Sequence, residues 1–424
     1  MLRRIVFVLV GLIAVLLIGA AAVIALNLRD EAPLPPETDA PFTATSMQIA
    51  RGRYLALAGN CAGCHTLRGG AAYAGGLGIG TPFGTVYASN LTPDPAHGIG
   101  SWSAAHFWRA MHNGRAKDGR LLYPAFPYPS FTRITREDSD ALYAYLRSVP
   151  PAATPNTPHR LRFPYDTQPA LAVWRALSFT PATFVADNAQ SSEWNRGAYL
   201  VEGLGHCIAC HGARNALGAT QDKRGLSGGL IAGENWYAPS LTSKREASVA
   251  DWEIRHIVAL LKNGTAPGAS VSGPMADVVF RSTQHLSDAD LTAMALFLKK
   301  LPDGTPASTE SPPQRRDTGA LERGARIYDQ RCAYCHGDAG QGVPGAFPPL
   351  AGNRAVNLET PVNLIQMVRQ GGFLPATAGN PRPFGMPPFG HVLDDNEIAD
   401  VLTYVRSAWG NDAPAVTVRD TMRR

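Results

Sequence analysis

The sequence predicts an all-α fold, with three tandem helical domains that follow one N-terminal transmembrane helix. Three observations support this fold class. They are an apolar N-terminal segment, a short cysteine motif that occurs three times at domain-length intervals, and an amphipathic helical pattern after each copy of the motif. The length of 424 residues fits two to four domains of roughly 100–200 residues each.

The composition limits the class of protein. Hydrophobic residues make up 45% of the chain, which excludes wholesale disorder, and a net charge of +5 without a long basic run gives no sign of nucleic-acid binding. The 42 glycines and 34 prolines together exceed the usual share in globular proteins. Such a chain is expected to have long irregular loops, and something besides regular packing must order them.

The N-terminal segment, residues 1–30, is expected to cross or to target a membrane. Residues 5–26 form a run of 22 without a charged side chain, which as a helix extends about 33 Å and can span a hydrocarbon core of roughly 30 Å. Because Arg3 and Arg4 precede this run, the positive-inside rule leaves the N-terminus in the cytoplasm and exports the rest. An uncleaved anchor is favoured; a cleaved signal peptide is the alternative, since residues 20–22 are three alanines.

All six cysteines fall into one motif, Cys-x-x-Cys-His, which occurs three times. The copies are Cys61, Cys64 and His65; Cys207, Cys210 and His211; and Cys332, Cys335 and His336. Two thiols at this spacing can add to the two vinyl groups of one haem, and the adjacent histidine then supplies an axial imidazole to the iron. The sequence therefore predicts three covalently bound haem c groups.

A Cys-x-x-Cys pair can also form a redox-active disulfide or contribute to a zinc site. A disulfide does not require the histidine that is present in every copy, and a zinc site needs a second pair close in sequence. Here the successive pairs begin 146 and 125 residues apart. The use of every cysteine in the same motif favours haem attachment.

The surrounding sequence repeats with the motif, which predicts three domains at residues 45–150, 190–302 and 316–411. In each domain an Arg-Gly pair begins a helix before the motif, and a second helix ends at a glycine after the motif. The arginines are Arg51, Arg196 and Arg323, and the glycines are Gly114, Gly264 and Gly371. Amphipathic closing helices are expected at 138–149, 288–301 and 394–408, and Pro-rich linkers at 150–169 and 302–313.

Two methionines are predicted to be sixth iron ligands, because a thioether opposite histidine is common in electron-transfer haems and raises the potential. Met275 lies eleven residues after Gly264, and Met386 lies fifteen residues after Gly371. Each precedes the closing helix of its domain. The matched position distinguishes them from methionines that fill a core.

The first domain departs from this pattern. Phe126 stands twelve residues after Gly114, where the other domains place methionine, and phenylalanine cannot bind iron. Met111 is one candidate sixth ligand and His97 is another, whereas His106 and His112 are expected to be structural. A five-coordinate iron is the remaining possibility, and the sequence leaves these alternatives open.

With these residues in place, the chain resembles the membrane-bound tri-haem cytochrome c subunits of bacterial periplasmic dehydrogenases over roughly residues 47–410. Supporting stretches are NLTPD at 90–94, GIGSW at 98–102, SVSGPMA at 270–276 and MPPF at 386–389. The family includes subunits of alcohol and gluconate dehydrogenases and of molybdenum-hydroxylase dehydrogenases for aldehydes, nicotinate or isoquinoline. The resemblance implies that each domain has the class I cytochrome c fold.

In that family, alcohol-type subunits look like Pro-Ala-Met-Pro-Tyr in the first domain, where this chain has Phe126 in the middle position. The form with phenylalanine is similar to the subunits that serve molybdenum hydroxylases, which favours such a partner without deciding it.

The resemblance implies an electron conduit that is not an enzyme by itself, since no nucleophile or general base is apparent. Electrons would come from the catalytic subunit of a dehydrogenase of the molybdenum-hydroxylase, quinoprotein or flavoprotein type, and would pass to ubiquinone or a downstream cytochrome or oxidase. The expected location is the cytoplasmic membrane, with the haem domains facing the periplasm. Two other classes stay open: a haem c subunit of a terminal oxidase, and a haem-based sensor or ligand binder that uses the first haem.

Overall fold

The computed structural model describes residues 2–29, 31–34, 42–221, 225–231, 233–304 and 317–422. Most of the predicted linker at 302–313, the first residue of the predicted domain at 316–411, and two residues of the N-terminal segment at 1–30 therefore lie outside the described residues.

Helix α1 (Leu2–Leu28) contains the apolar N-terminal run. Within the described ranges it is the one helix that is long and apolar enough to cross a membrane, and the window that meets this criterion is not buried by the protein. Its length and composition fit a membrane anchor or an export signal equally, so the choice between them stays a prediction.

The chain divides into two compact units. The first comprises residues 1–55, 64–185 and 216–219, and the second comprises 56–63, 186–215 and 220–424. The boundary passes through the first Cys-x-x-Cys-His motif, whereas the second and third motifs both belong to the second unit. These units do not test the three predicted domain ranges, which stay predictions.

The first unit holds most of the elements around the first motif. The helices that follow α1 are α2 (Ser46–Ala58), α3 (Cys61–His65), α4 (Ala104–Asn113), α5 (Tyr128–Phe131), α6 (Arg136–Ser148) and α7 (Gln168–Ser178). One antiparallel sheet has the order β1-β2-β3, from strands β1 (Gly78–Thr81), β2 (Gly84–Tyr87) and β3 (Arg160–Leu161).

The second unit holds the elements around the other two motifs. Its helices are α8 (Ser192–Tyr199), α9 (Ile208–His211), α10 (Ile254–Asn263), α11 (Pro274–Arg281), α12 (Asp288–Lys299), α13 (Thr318–Arg331), α14 (Ala333–His336), α15 (Arg354–Asn357), α16 (Val362–Gln370), α17 (Asp395–Val405) and α18 (Val418–Met422). A π-helical turn (Leu200–Leu204) continues α8, and a 3-10 turn (Thr283–His285) follows α11. Its strands form three two-stranded antiparallel hairpins, β4 (Gly229–Ile231) with β5 (Trp236–Ala238), β6 (Thr265–Ala266) with β7 (Ala269–Ser270), and β8 (Gly372–Phe373) with β9 (Gly385–Met386).

The fold is mainly helical, as predicted, and it has the predicted N-terminal apolar helix. The short hairpins are not part of the all-α prediction; they form in the Gly-rich loops between helices, where tight turns bring two extended segments together. The predicted linker at 150–169 contains strand β3 and the start of helix α7, and sequence reasoning missed both.

Local sequence explains where the helices begin and end. The closing helix α6 begins after Thr135, α12 after Ser287 and α17 after Asp394, and each of these side chains accepts a hydrogen bond from a backbone N–H of the first turn. The predicted stop signals are confirmed, because α4 and α10 end at Gly114 and Gly264, which have φ of 60° and 79°.

The Arg-Gly pairs join the helix before each motif to the closing helix. Arg51 donates to the Asp138 carboxylate at 2.6 Å, and Arg196 binds Asp290 through two contacts of 2.8 Å. The third pair uses a different aspartate position, since Arg323 binds Asp400, which lies one helical turn later in α17 than the position matching Asp290.

The glycine of each pair lets two helix backbones approach. A Cβ atom would lie 1.9 Å from the Ala141 carbonyl oxygen if added at Gly52, 2.0 Å from that of Ala293 if added at Gly197, and 2.2 Å from that of Asp400 if added at Gly324. No side chain fits at these distances, so glycine is required at the crossing of α2 with α6, of α8 with α12 and of α13 with α17.

We expect Gly197→Ala to lower the free energy of unfolding by about 1–3 kcal/mol, the usual cost of overpacking, although alanine has the higher helix propensity. Thermal or chemical unfolding followed by far-UV circular dichroism measures the change. Gly19→Ala in α1 is the matched control, since no atom lies within 4 Å of a Cβ at that helical glycine. A Gly197→Ala protein as stable as the control would contradict the close crossing of α8 and α12.

Candidate haem sites

Each Cys-x-x-Cys-His motif forms one helical turn. The first motif is helix α3, and the second and third end helices α9 and α14 at His211 and His336. A helical turn places residues three positions apart on the same side, so the structure brings both cysteines of a motif together beside the histidine that follows.

The three motif histidines share one hydrogen bond. The imidazole Nδ1 lies 2.6 Å from the Ser89 carbonyl oxygen in His65, 2.7 Å from that of Pro239 in His211, and 3.0 Å from that of Pro348 in His336. A carbonyl oxygen can only accept, so Nδ1 carries the proton and Nε2 keeps its lone pair. Metal-binding histidines are commonly oriented in this way.

Burial favours the same protonation state. The pKa of His65, of His211 and of His336 is lowered from the usual histidine value, chiefly because burial disfavours the charged imidazolium; the hydrogen bond to the carbonyl opposes this effect in part. Each imidazole is therefore neutral at physiological pH and is able to bind iron through Nε2.

The carbonyl groups that orient the histidines lie in related loops. Ser89, Pro239 and Pro348 each stand two residues before a leucine, in Ser-Asn-Leu, Pro-Ser-Leu and Pro-Pro-Leu. Sequence reasoning missed this contact, although part of the first loop lies in the NLTPD stretch that carries the resemblance. The recurring leucine at fixed distance from a backbone acceptor is the signal that could have found it.

A glycine supports each histidine from its backbone. The carbonyl oxygen of His65 accepts from the N–H of Gly75 at 2.8 Å, that of His211 from Gly228 at 2.7 Å, and that of His336 from Gly342 at 2.8 Å. All three glycines have positive φ, of 76°, 81° and 65°.

These glycines also touch the loops that hold the imidazoles. A Cβ at Gly75 would lie 2.6 Å from the Ser89 carbonyl carbon, and one at Gly228 would lie 2.6 Å from the Ser240 backbone nitrogen. The motif histidine is thus fixed twice, through its ring and through its backbone, by one continuous segment of the chain.

Two of the motif thiols, those of Cys207 and Cys332, are kept protonated by burial before any covalent attachment. Burial raises the pKa of Cys207 to about 12 and that of Cys332 to about 11, and the neighbouring thiol of each motif adds to the effect. Within the described residues, no group of three or more His, Cys, Asp or Glu side chains is arranged to hold a metal ion, as a zinc site would need.

The residues at each motif therefore fit a covalent haem. They supply two thiols for the vinyl groups, one neutral imidazole with Nε2 available for the iron, and loops rich in glycine that allow a flat macrocycle to approach the backbone. The cysteine and histidine assignments remain predictions at the level of single residues.

Met275 and Met386 occupy corresponding places in the chain. Met275 is the second residue of helix α11, between α10 and α12, and packs on the small apolar cluster of Val271, Ala276 and Val279. Met386 ends strand β9, between α16 and α17, where it pairs with Gly372. Both side chains are partly exposed, whereas Met294 is buried in α12.

In the first unit, Phe126 lies between α4 and α6, the place that corresponds to the two methionines. Its ring packs on Phe131, with centroids 5.4 Å apart. Met111 is a buried residue of α4 with 5% exposure, and the His97 ring lies 3.2 Å from the Asp94 carboxylate. Whether either one binds iron stays open.

The other two histidines of this region have structural contacts. His106 belongs to the capping box of α4 with Ser103, whose hydroxyl lies 2.8 Å from the His106 Nδ1. The buried His112 stacks on Trp108 at 4.4 Å and has its Nδ1 2.8 Å from the Thr132 carbonyl oxygen.

Within the second unit, the segment that follows the second motif contacts helices α15 and α16, which follow the third motif. The Asn363 side chain accepts from the Tyr237 N–H and donates to the Tyr237 carbonyl, both at 2.8 Å. The Arg354 guanidinium lies 4.8 Å from the centre of the Trp252 ring. Since Tyr237 is two residues before Pro239, α16 is fastened to the loop that orients His211.

We expect Gly228→Ala to displace this loop and to reduce haem attachment at the second motif, because the added methyl group meets the Ser240 backbone. Mass spectrometry of the peptide that contains Cys207 and Cys210 measures the fraction with haem. Gly225→Ala is the matched control, since Gly225 also has positive φ, of 55°, but has no atom within 4 Å of a Cβ. Equal haem occupancy in both variants would contradict the proposed role of Gly228.

Comparison with known proteins agrees with this geometry. The profile of the cytochrome c family matches residues 49–150 and 321–409, which include the first and third motifs. Several relatives cover most of the chain, and three of them represent different dehydrogenases.

The cytochrome c subunit of alcohol dehydrogenase (quinone) from Gluconacetobacter polyoxogenes is 41% identical over 397 residues, 90% of this chain and 84% of the relative. The gluconate 2-dehydrogenase cytochrome c subunit of Pantoea cypripedii is 38% identical over 394 residues, 89% of each chain. One of the subunits of nicotinate dehydrogenase from Pseudomonas putida is 40% identical over 390 residues, 91% of this chain but 32% of that protein. The resemblance predicted from the motifs is confirmed, and the chain belongs to the cytochrome c family, among the cytochrome c subunits of bacterial dehydrogenases.

Proposed function

We propose that this chain is a tri-haem electron-transfer subunit, which carries electrons from a dehydrogenase catalytic subunit to ubiquinone or to a downstream cytochrome or oxidase. Its α1 helix would anchor it in the cytoplasmic membrane with the haem domains in the periplasm. The chain would not oxidise a substrate by itself, because the haem irons supply the redox chemistry and the protein positions and tunes them.

The observation that carries the proposal is the threefold repeat of a neutral imidazole whose Nδ1 is bound to a loop carbonyl, beside two cysteines. Bound haem supplies reversible one-electron exchange at its iron. The chain would contribute His65, His211 and His336 as axial ligands, with Cys61, Cys64, Cys207, Cys210, Cys332 and Cys335 as attachment points.

The relatives support the type of partner. Two of them are named as cytochrome subunits of alcohol and gluconate dehydrogenases, and a third belongs to nicotinate dehydrogenase. Phe126 in the first domain is similar to the subunits of molybdenum hydroxylases, so we propose a catalytic subunit of that type ahead of a quinoprotein or flavoprotein.

The intact membrane complex tests this function. Affinity purification of the tagged chain from its own membranes should retain a large dehydrogenase subunit. Adding that subunit's substrate without oxygen should reduce the c-type haems to the same extent as dithionite does, as measured by their absorbance. Purification of the haem-loaded chain alone, or a complex whose haems stay oxidised with substrate, would overturn the proposal.

The sixth ligands have a spectroscopic test. Replacing Met275 by leucine should abolish the ferric methionine–iron charge-transfer absorbance of one haem and lower that haem's potential, since a thioether stabilises ferrous iron. The same change at Met386 should affect a different haem.

Met294→Leu is the matched control for both variants, because Met294 is a buried residue of α12 with 3% exposure and should keep every haem unchanged. Retention of the full absorbance in Met275→Leu would show that Met275 is not a ligand.

The first haem is expected to lack a methionine ligand if neither Met111 nor another thioether reaches its iron. Phe126→Met should then create an additional methionine–iron absorbance and raise the lowest of the potentials. Three such absorbance bands in the unmodified protein would contradict this assignment.

The same residue favours a second candidate function, a haem that binds a small ligand at the first domain. Carbon monoxide added to the reduced protein should shift about one third of the haem absorbance if that iron has an open position. No shift would exclude ligand binding and leave electron transfer as the function of all three haems.

A further inference from the structure

We propose that helix α7 (Gln168–Ser178) lies on the surface of the lipid bilayer and inserts Val173 and Leu177 among the lipids beside α1. This inference rests on the proposed membrane anchor and adds a second, peripheral membrane contact in the first unit.

A polar network fastens the C-terminal end of α1 to α7. The Asn27 side-chain amide donates to the Ala172 carbonyl at 2.9 Å, and its oxygen accepts from Arg175 Nε at 2.9 Å. Arg175 also donates to the carbonyl of Asn113, the last residue of α4. Asn27 and Arg175 are both buried, so the end of α1 is held by α7 and by the first unit together.

Further contacts extend this attachment beyond Asn27. Arg115 donates to the Glu31 carboxylate at 2.9 Å and to the Asn27 carbonyl at 3.2 Å, and Arg29 donates to the Thr180 hydroxyl at 2.8 Å. The last turn of α1 and the residues just after it are therefore bound to the rest of the first unit, which fixes the height of α7 relative to α1.

That height matches the membrane surface. A hydrocarbon core of roughly 30 Å takes about 20 helical residues, so one that starts near Ile5 ends close to Ile24. Asn27 of α1 bonds α7 directly, and Val23, one turn earlier, is partly buried and accepts from the Asn27 amide through its carbonyl. Helix α7 thus lies at the level where the hydrocarbon meets the headgroups.

The face of α7 that points away from the protein is apolar. Leu171 and Arg175 form the buried face, whereas Val173 and Leu177, one turn apart, are 47% and 71% exposed. Trp174 lies beside them and donates its indole N–H to the Leu217 carbonyl, and Leu217 is itself 44% exposed. An apolar face flanked by tryptophan is typical of a helix in the membrane interface.

The lipid surface is favoured over a protein partner because α7 packs on the end of α1, whose last turns also expose apolar side chains. Ile24, Leu26 and Leu28, in the last turns of α1, are 60%, 40% and 54% exposed. A protein bound to α7 would have to stand in the layer that the lipids around α1 occupy.

Spin labelling of the full-length, haem-loaded chain in phosphatidylcholine–phosphatidylglycerol nanodiscs tests the proposal. A nitroxide is placed at one position at a time through Leu177→Cys, Leu16→Cys or Glu137→Cys, and its collisions with oxygen and with a water-soluble nickel chelate are compared. Leu16 reports on the anchor, and Glu137, an exposed residue of α6, is the aqueous control.

We expect the ratio of oxygen collisions to nickel-chelate collisions to be several-fold higher at position 177 than at position 137. The ratio at position 16 should be raised in the same direction. A lipid-like signal at 16 with a water-like signal at 177 would overturn the α7 proposal and leave the anchor intact. Water-like signals at both positions would overturn the anchor and, with it, the α7 proposal. The label at 177 could also be shielded from both reagents in the dehydrogenase complex and be water-like without the partner. That result would assign the face to the partner protein and also overturn the proposal.

Discussion

The hydrogen bond from each motif histidine to a loop carbonyl is the constraint on which the sites depend. It fixes the tautomer, leaves Nε2 for the iron, and ties the ring to a loop that a left-handed glycine holds against the histidine backbone. An imidazole without this bond would be free to rotate and to change its tautomer. The same arrangement occurs around His65, His211 and His336, although their loops have different lengths and sequences.

Glycine serves two different purposes in this fold. At Gly52, Gly197 and Gly324 it lets the helix before the motif cross the closing helix at backbone contact, which sets the frame of each repeat. At Gly75 and Gly228 it allows positive φ where a loop meets the motif. The high glycine content of the chain is thus a consequence of close backbone approach at helix crossings and of loops that surround a flat cofactor, and not a sign of disorder.

Sequence reasoning predicted the parts of the structure that depend on local chemistry. Stop signals and amphipathic patterns identify the helix ends at Gly114 and Gly264 and the closing helices. It could not predict contacts between distant segments, such as Pro239 with His211, or the changed aspartate position that pairs Arg323 with Asp400. Helix α7 was missed because its proline, Pro169, and its short length resemble a linker, and its buried arginine breaks the apolar pattern.

The number of haems that the purified chain carries tests the central claim most directly. Intact mass spectrometry of the mature polypeptide, combined with pyridine haemochrome absorbance, should give three haem c groups per chain that survive acid–acetone extraction. Two covalent haems, or pigment that the solvent removes, would show that the shared histidine–carbonyl arrangement does not mark a haem at every motif.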